Sequence, residues 1–121
     1  MTKLQQFTFI CAPSMAQRGA LAALDHPMDS MIADYRKKRD MVYAGLRDRF
    51  EVVKPGGAFY IFPKVPGGWE SATAFCTGAV KESLVIIAGS TFSGRDTHFR
   101  VSFAASDQTL ERGIAALKRL A

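Results

Sequence analysis

The segment THFRVSFAAS, residues 97–106, limits the fold more than any other stretch. Phe99, Val101 and Phe103 recur at period two, the pattern of a strand with one buried face. Directly after it, Ser106 or Asp107 is placed to cap a helix, DQTLERGIAALKRL. In that helix Leu110, Ile114 and Leu117 form an apolar stripe. Lys118 and Arg119 sit near its C-terminus, where the helix dipole favours cations. A half-buried strand running into an amphipathic helix needs other strands beside it and other helices over it.

The rest of the chain supplies both. PSMAQRGALAAL (13–24) is rich in helix formers, with Pro13 tolerated in the first turn. Pro27 interrupts it by disfavouring helix at His26. Asp29 or Ser30 then caps SMIADYRKKRDMVYAGLRDRF, whose Met31, Ile32, Tyr35, Val42 and Leu46 lie mostly on one stripe. FEVVK (50–54) and AFYIF (58–62) are strand-like and flank Pro55–Gly56, a pair suited to a type II turn, so a hairpin is expected. VPGGW is a loop, and SATAFCTGAVKES is a weaker helix with Phe75, Ala79 and Ala72 inward. LVIIA (84–88) is a continuous apolar run, the mark of a well-buried strand. The order is helix, helix, hairpin, helix, strand, strand, helix. That predicts an α+β domain: a small, mainly antiparallel sheet covered by helices.

With 121 residues, 48% of them hydrophobic, the chain can bury a core without metals or disulfides. Cys11 and Cys76 are far apart and form no C-x-x-C pair, which argues against a zinc site and fits a reducing compartment. The formal net charge of +5 suits acidic small molecules or nucleic acid without selecting either. No apolar run reaches membrane-span length and no secretory leader is evident, so a cytoplasmic location is expected, with no membrane partner. Residues 1–12 are oddly apolar: Phe7, Phe9, Ile10 and Cys11 predict contact with a surface beyond this domain.

No catalytic constellation is visible. His26 and His98 have no nucleophile nearby in sequence, and no metal-ligand spacing occurs. The glycine clusters PGG and GSTFSG read as turns, since neither follows a strand and opens a helix as phosphate loops do. RKKRD (36–40) reads as a solvated helix face rather than a nucleic-acid patch. Arg100 is the informative residue. It sits mid-strand beside Ser102 and Ala104, either as an ordinary exposed arginine or as a group with space over its guanidinium. Its planar fork meets a carboxylate with two parallel hydrogen bonds, and a strand fixes that fork better than a loop does.

Several segments then fall into a known order. HFRVSFAAS resembles the strand that carries the substrate-carboxylate arginine of class I/II aminotransferases, the pyridoxal-phosphate enzymes of the aspartate aminotransferase fold. YRKKRD resembles their helix motif of Tyr, two residues, then basic-basic-acidic. KPGGAFYIF resembles their Pro-x-Gly-Ala-Phe-Tyr hairpin, and VIIAGSTF with the last helix resembles their C-terminal end. KLQQFTFICAPSMAQRGALAAL resembles the stretch that leaves the large domain and enters the interdomain helix. The resemblance covers essentially the whole chain. Two departures stand out: Ile10–Cys11 is apolar where aspartate-type members are polar, and Ala88 replaces a frequent proline.

The resemblance implies that residues 1–25 end a large domain and start an interdomain helix, and that 26–121 form the small domain. It implies that Arg100 holds the α-carboxylate of an amino acid or 2-oxo acid. The lysine that binds pyridoxal phosphate, in its Ser-x-x-Lys surroundings, would lie upstream of Met1. No catalytic, cofactor-binding or metal residue is therefore assigned here, and the chain alone is expected to hold no cofactor and to be inactive. Its implied partners are the missing large domain and, in the full-length form, a second copy. Nucleic acid is not expected. The alternative is a free-standing module binding a small molecule or nucleic acid through the basic sheet face.

Overall fold

Helix capping sets the frame. In a computed structural model that describes all of residues 1–121, α1 spans Thr2–Thr8, α2 Ser14–Leu24 and α3 Asp29–Leu46. A further helix, α4, spans Ala72–Lys81, and α5 spans Asp107–Leu120. The Ser71 hydroxyl accepts the Ala74 N–H at 3.1 Å and the Ser106 hydroxyl accepts the Thr109 N–H at 3.3 Å. Each satisfies a donor that has no partner inside its helix. Asp107 opens α5, and Lys118 and Arg119 close it, complementing the helix dipole. The chain falls into two units, Met1–Ser30 and Met31–Ala121.

The second unit holds a three-stranded antiparallel sheet of β1 (Tyr60–Ile61), β2 (Ile87–Ala88) and β3 (Phe99–Ser102), in the order β1-β3-β2. The period-two expectation holds on β3. Phe99 is buried, as is Phe103 just beyond the strand, and partly buried Val101 packs against the same core. Phe99 meets Phe75 of α4 at 4.7 Å between ring centroids and Phe50 at 5.7 Å. Val42 and Leu46 of α3 and Leu110 and Leu117 of α5 close this core. The expected inward residues of α4, namely Ala72, Phe75 and Ala79, are all buried.

Three local expectations are corrected. Residues 50–54 form no strand and no hairpin. The segment makes one backbone bond to the 58–64 stretch, from the Lys64 N–H to the Glu51 carbonyl, while Val53 is exposed. Phe50 instead seals the end of α3, its N–H bonded to the Leu46 carbonyl at 2.9 Å. Pro55–Gly56 makes no type II turn, because Gly56 does not take a positive φ. The left-handed residue of this loop is Ala58, at φ 57°, a conformation costing a residue with a Cβ about 1 kcal/mol. The LVIIA run is not buried throughout: Ile86 is inside, but Val85 is 86% exposed. A two-residue strand at the edge of a sheet shields one face only, so the run alternates.

In the first unit, α1 lies where only an apolar segment was expected. Phe7, Phe9 and Ile10 are exposed there, as are Leu21 and Leu24 of α2. No helix is long and apolar enough to cross a membrane.

Candidate functional site

Strand register places the site. Arg100 lies on the central strand opposite Ile87, and its neighbour Ser102 lies opposite Tyr60. Residues two apart, and cross-strand partners, point to one face. Arg100, Ser102, Ile87 and Tyr60 therefore share the face turned away from the core.

The guanidinium is bracketed by aromatic rings. Its carbon lies 4.2 Å from the centroid of Tyr60, on one neighbouring strand. It lies 4.2 Å from the centroid of Phe92, just past the 3₁₀ turn Gly89–Thr91 that follows the other neighbour. Each such contact contributes about 0.5–2 kcal/mol, depending on exposure. Arg100 takes part in none of the ion pairs of the chain. A half-buried guanidinium held between two rings, with no carboxylate of its own, is suited to receive a planar anion. Small as Ser102 and Ala104 are, the space expected over the guanidinium is taken by these two rings. The cover comes from across the strands and from a loop, which the strand pattern does not reveal.

Beside this pair, the His98 ring stacks on Phe62 at 5.4 Å and 7°, and its Nδ1 lies 2.9 Å from the Thr97 hydroxyl. Gly89 binds the sheet closely, its N–H donating to the His98 carbonyl at 2.7 Å. A Cβ at Gly89 would lie 2.6 Å from that same oxygen. His26 is exposed in the first unit and joins no cluster of metal-ligating groups. The lysine closest in register, Lys64 opposite His98, is committed to Glu51 at 2.8 Å.

Two of the four cations in the RKKRD run, Lys38 and Arg39, are paired. Lys38 pairs with Asp34, while Arg39 and Lys54 converge on Asp40 at 2.8 and 2.9 Å. The hydrogen bonds from Arg39 and then Lys54 hold the Asp40 carboxyl down at about 2. Asp96 is also held low, chiefly by its hydrogen bond with Thr73. Burial, with the Asp96 charge adding to it, pushes the Cys76 thiol up to about 11. Cys76 is thus a packing group rather than a nucleophile.

The family profile described as "Aminotransferase class I and II" matches residues 1–117. A probable aspartate aminotransferase of Methanocaldococcus jannaschii is 32% identical over 99% of this chain and 33% of its own length. A probable N-acetyl-LL-diaminopimelate aminotransferase of Bacillus subtilis is 34% identical over 96% of this chain and 31% of its own. Among solved structures, an aspartate aminotransferase of Thermotoga maritima superposes with a TM-score of 0.85 at 29% identity, covering 97% of this chain and 31% of that one. A Methanococcus jannaschii protein described as similar in its active site to kynurenine aminotransferases gives 0.84 at 31%, covering 98% and 34%. The chain spans about a third of the length of the curated relatives it matches.

Proposed function

Since the chain belongs to the class I and II aminotransferases, we propose that it serves as the C-terminal small domain of such an enzyme, with residues 1–25 leading in from the large domain. In that enzyme Arg100 grips the α-carboxylate of the amino acid or 2-oxo acid. The observation that carries this reading is the guanidinium 4.2 Å from two rings and free of any internal ion pair. Its charge is available to a ligand rather than spent within the fold. A bidentate carboxylate would gain about 1.5–3 kcal/mol per charge-assisted bond once sheltered from water.

The family's cofactor, pyridoxal phosphate, supplies the electron sink for moving the amino group. The groups around Arg100 do not fit the cofactor itself. They offer no free amine to bind its aldehyde, since Lys64, in register opposite His98, is paired with Glu51. This chain's part is accordingly binding and orientation: Arg100 fixes one end of the substrate, and the sheet fixes Arg100. The cofactor lysine, and the second copy of a dimer, belong to the longer protein in this reading. The relatives' names span aspartate, aromatic amino acid and N-acetyl-LL-diaminopimelate substrates. The proposal accordingly extends to amino acids as a class.

The test is to mix the purified chain with pyridoxal phosphate at neutral pH. No saturable absorbance of a lysine-bound cofactor is expected, and the polypeptide extended upstream should show one. A saturable signal from the 121-residue chain would contradict this division of labour.

A further inference from the structure

Phe92 belongs to no strand, so its place over Arg100 depends on what holds the loop of residues 89–97. That loop is fixed at both ends and in the middle. At its start the Gly89 N–H is bonded to the His98 carbonyl at 2.7 Å. In the turn, the N–H groups of Phe92 and Ser93 bond the Gly89 carbonyl at 2.9 and 3.0 Å. The Ser93 hydroxyl accepts the Arg95 N–H at 3.2 Å, and its single proton is within reach of either the Gly89 carbonyl at 3.3 Å or the Arg95 carbonyl at 3.2 Å.

The far end is latched to a helix. The Asp96 carbonyl accepts the Ala72 N–H at 2.9 Å, and its carboxylate Oδ2 accepts the Thr73 N–H at 3.3 Å. Ala72 and Thr73 open α4, where N–H groups lack intrahelical partners and the helix dipole favours an anion. Ser90 adds a hydroxyl contact to Thr73 at 3.4 Å. The second carboxylate oxygen, Oδ1, is buried without a hydrogen-bond partner.

We propose that Phe92 is a positioning residue for Arg100, and that Asp96 keeps it there by latching the 89–97 loop to the N-terminus of α4. The two rings leave the long arginine side chain few orientations in which to wait for a carboxylate, which reduces the ordering cost of binding. Phe92 acts through Arg100 and needs no contact with the ligand. The consequence for carboxylate binding rests on the reading of Arg100 given above, whereas the latch and the clamp do not.

The experiment uses the 121-residue chain and the Nε–Hε signals of its arginine side chains in nitrogen-proton spectra, Arg100 being assigned by Arg100→Lys. Facing two rings, the Arg100 proton should resonate upfield of the other arginine side chains. Phe92→Leu should remove much of that displacement, and Phe92→Trp should retain it. Asp96→Ala should reproduce the effect of Phe92→Leu, while Asp96→Asn, which keeps an acceptor, should rescue it. Sodium acetate at constant ionic strength then probes carboxylate binding, with the dissociation constant rising several-fold in Phe92→Leu and Asp96→Ala. Unchanged Trp69 emission confirms that these variants are folded. An Arg100 signal indifferent to Phe92→Leu overturns the clamp, and one indifferent to Asp96→Ala overturns the latch. Acetate that fails to move Arg100 in the unaltered chain rejects the carboxylate reading alone, because the resonance shifts still decide the positioning roles.

Discussion

Tyr60 and Arg100 sit diagonally across neighbouring strands, with the Tyr60 ring centroid 4.2 Å from the guanidinium carbon. This contact follows from register: Tyr60 pairs with Ser102, two residues beyond Arg100 on the same face. The inner wall of the clamp is thus set by backbone pairing. A one-residue slip would turn Tyr60 toward the core and strip the arginine of it.

The ring, rather than the hydroxyl, makes that wall. Tyr60→Phe should leave acetate binding to the chain unchanged, and Tyr60→Leu should weaken it several-fold, in line with a contact of about 0.5–1 kcal/mol or more. Titration of the Arg100 side-chain signal measures both, and equal losses would show that the hydroxyl is what matters.

Gly89 is needed for closeness. The space beside its Cα is filled by the sheet itself, since an added Cβ would press on the His98 carbonyl and on the Phe62 ring. Gly89→Ala should therefore destabilise the chain by about 1–3 kcal/mol, the usual cost of overpacking. Urea unfolding followed by Trp69 emission measures it. A change below about 0.5 kcal/mol would mean that the loop relaxes freely.

The alternation of Phe99, Val101 and Phe103 and the capped stripe of α5 were legible in the sequence because each is a local pattern with one dominant physical cause. The 50–54 segment was not. Its two valines look strand-like, yet the only tie to the 58–64 stretch that the backbone forms is at Glu51, and Phe50 is drawn into the end of α3. Tertiary packing decided that stretch, as it often does for short apolar runs. At the site, Arg100 stood out by its small strand neighbours, and family order gave it an implied role. Beyond closing the family-like segment VIIAGSTF, Phe92 carried no signal of its contact with Arg100, because a phenylalanine in a loop has no periodicity and its partner lies eight positions on. Nothing in the sequence singled out Asp96, because its capping of a helix more than twenty residues upstream is a long-range event.

Acid should act late on the Asp40 bonds of α3. Asp40 is held at about 2 by Arg39 and Lys54, below its ordinary value. A carboxylate with a depressed folded pKa contributes stability above its unfolded value, near 4, and that contribution is lost as pH falls toward about 2. The carboxyl carbon shift of Asp40 should titrate near 2. Lys54→Met should move the midpoint part of the way up, and Arg39→Met further. A midpoint unmoved by either would place the cause elsewhere.

The two cysteines should differ sharply in reactivity. Cys11 is exposed, whereas Cys76 is half-covered and its thiol is pushed up to about 11. At pH 8 a thiol reagent should label Cys11 promptly and Cys76 only slowly, until denaturant exposes it. Mass analysis of the labelled chain over time settles the order, and prompt labelling at Cys76 would mean that α4 opens readily.

The most direct test lies with Arg100 in the longer enzyme. Arg100→Ala should raise KM for amino-acid substrates by roughly a hundredfold or more, as expected for losing two charge-assisted bonds. For amines of similar shape that lack the carboxylate, the same substitution should change kcat/KM by less than about threefold. An equal loss for both substrate kinds would contradict the assignment of Arg100 to the carboxylate.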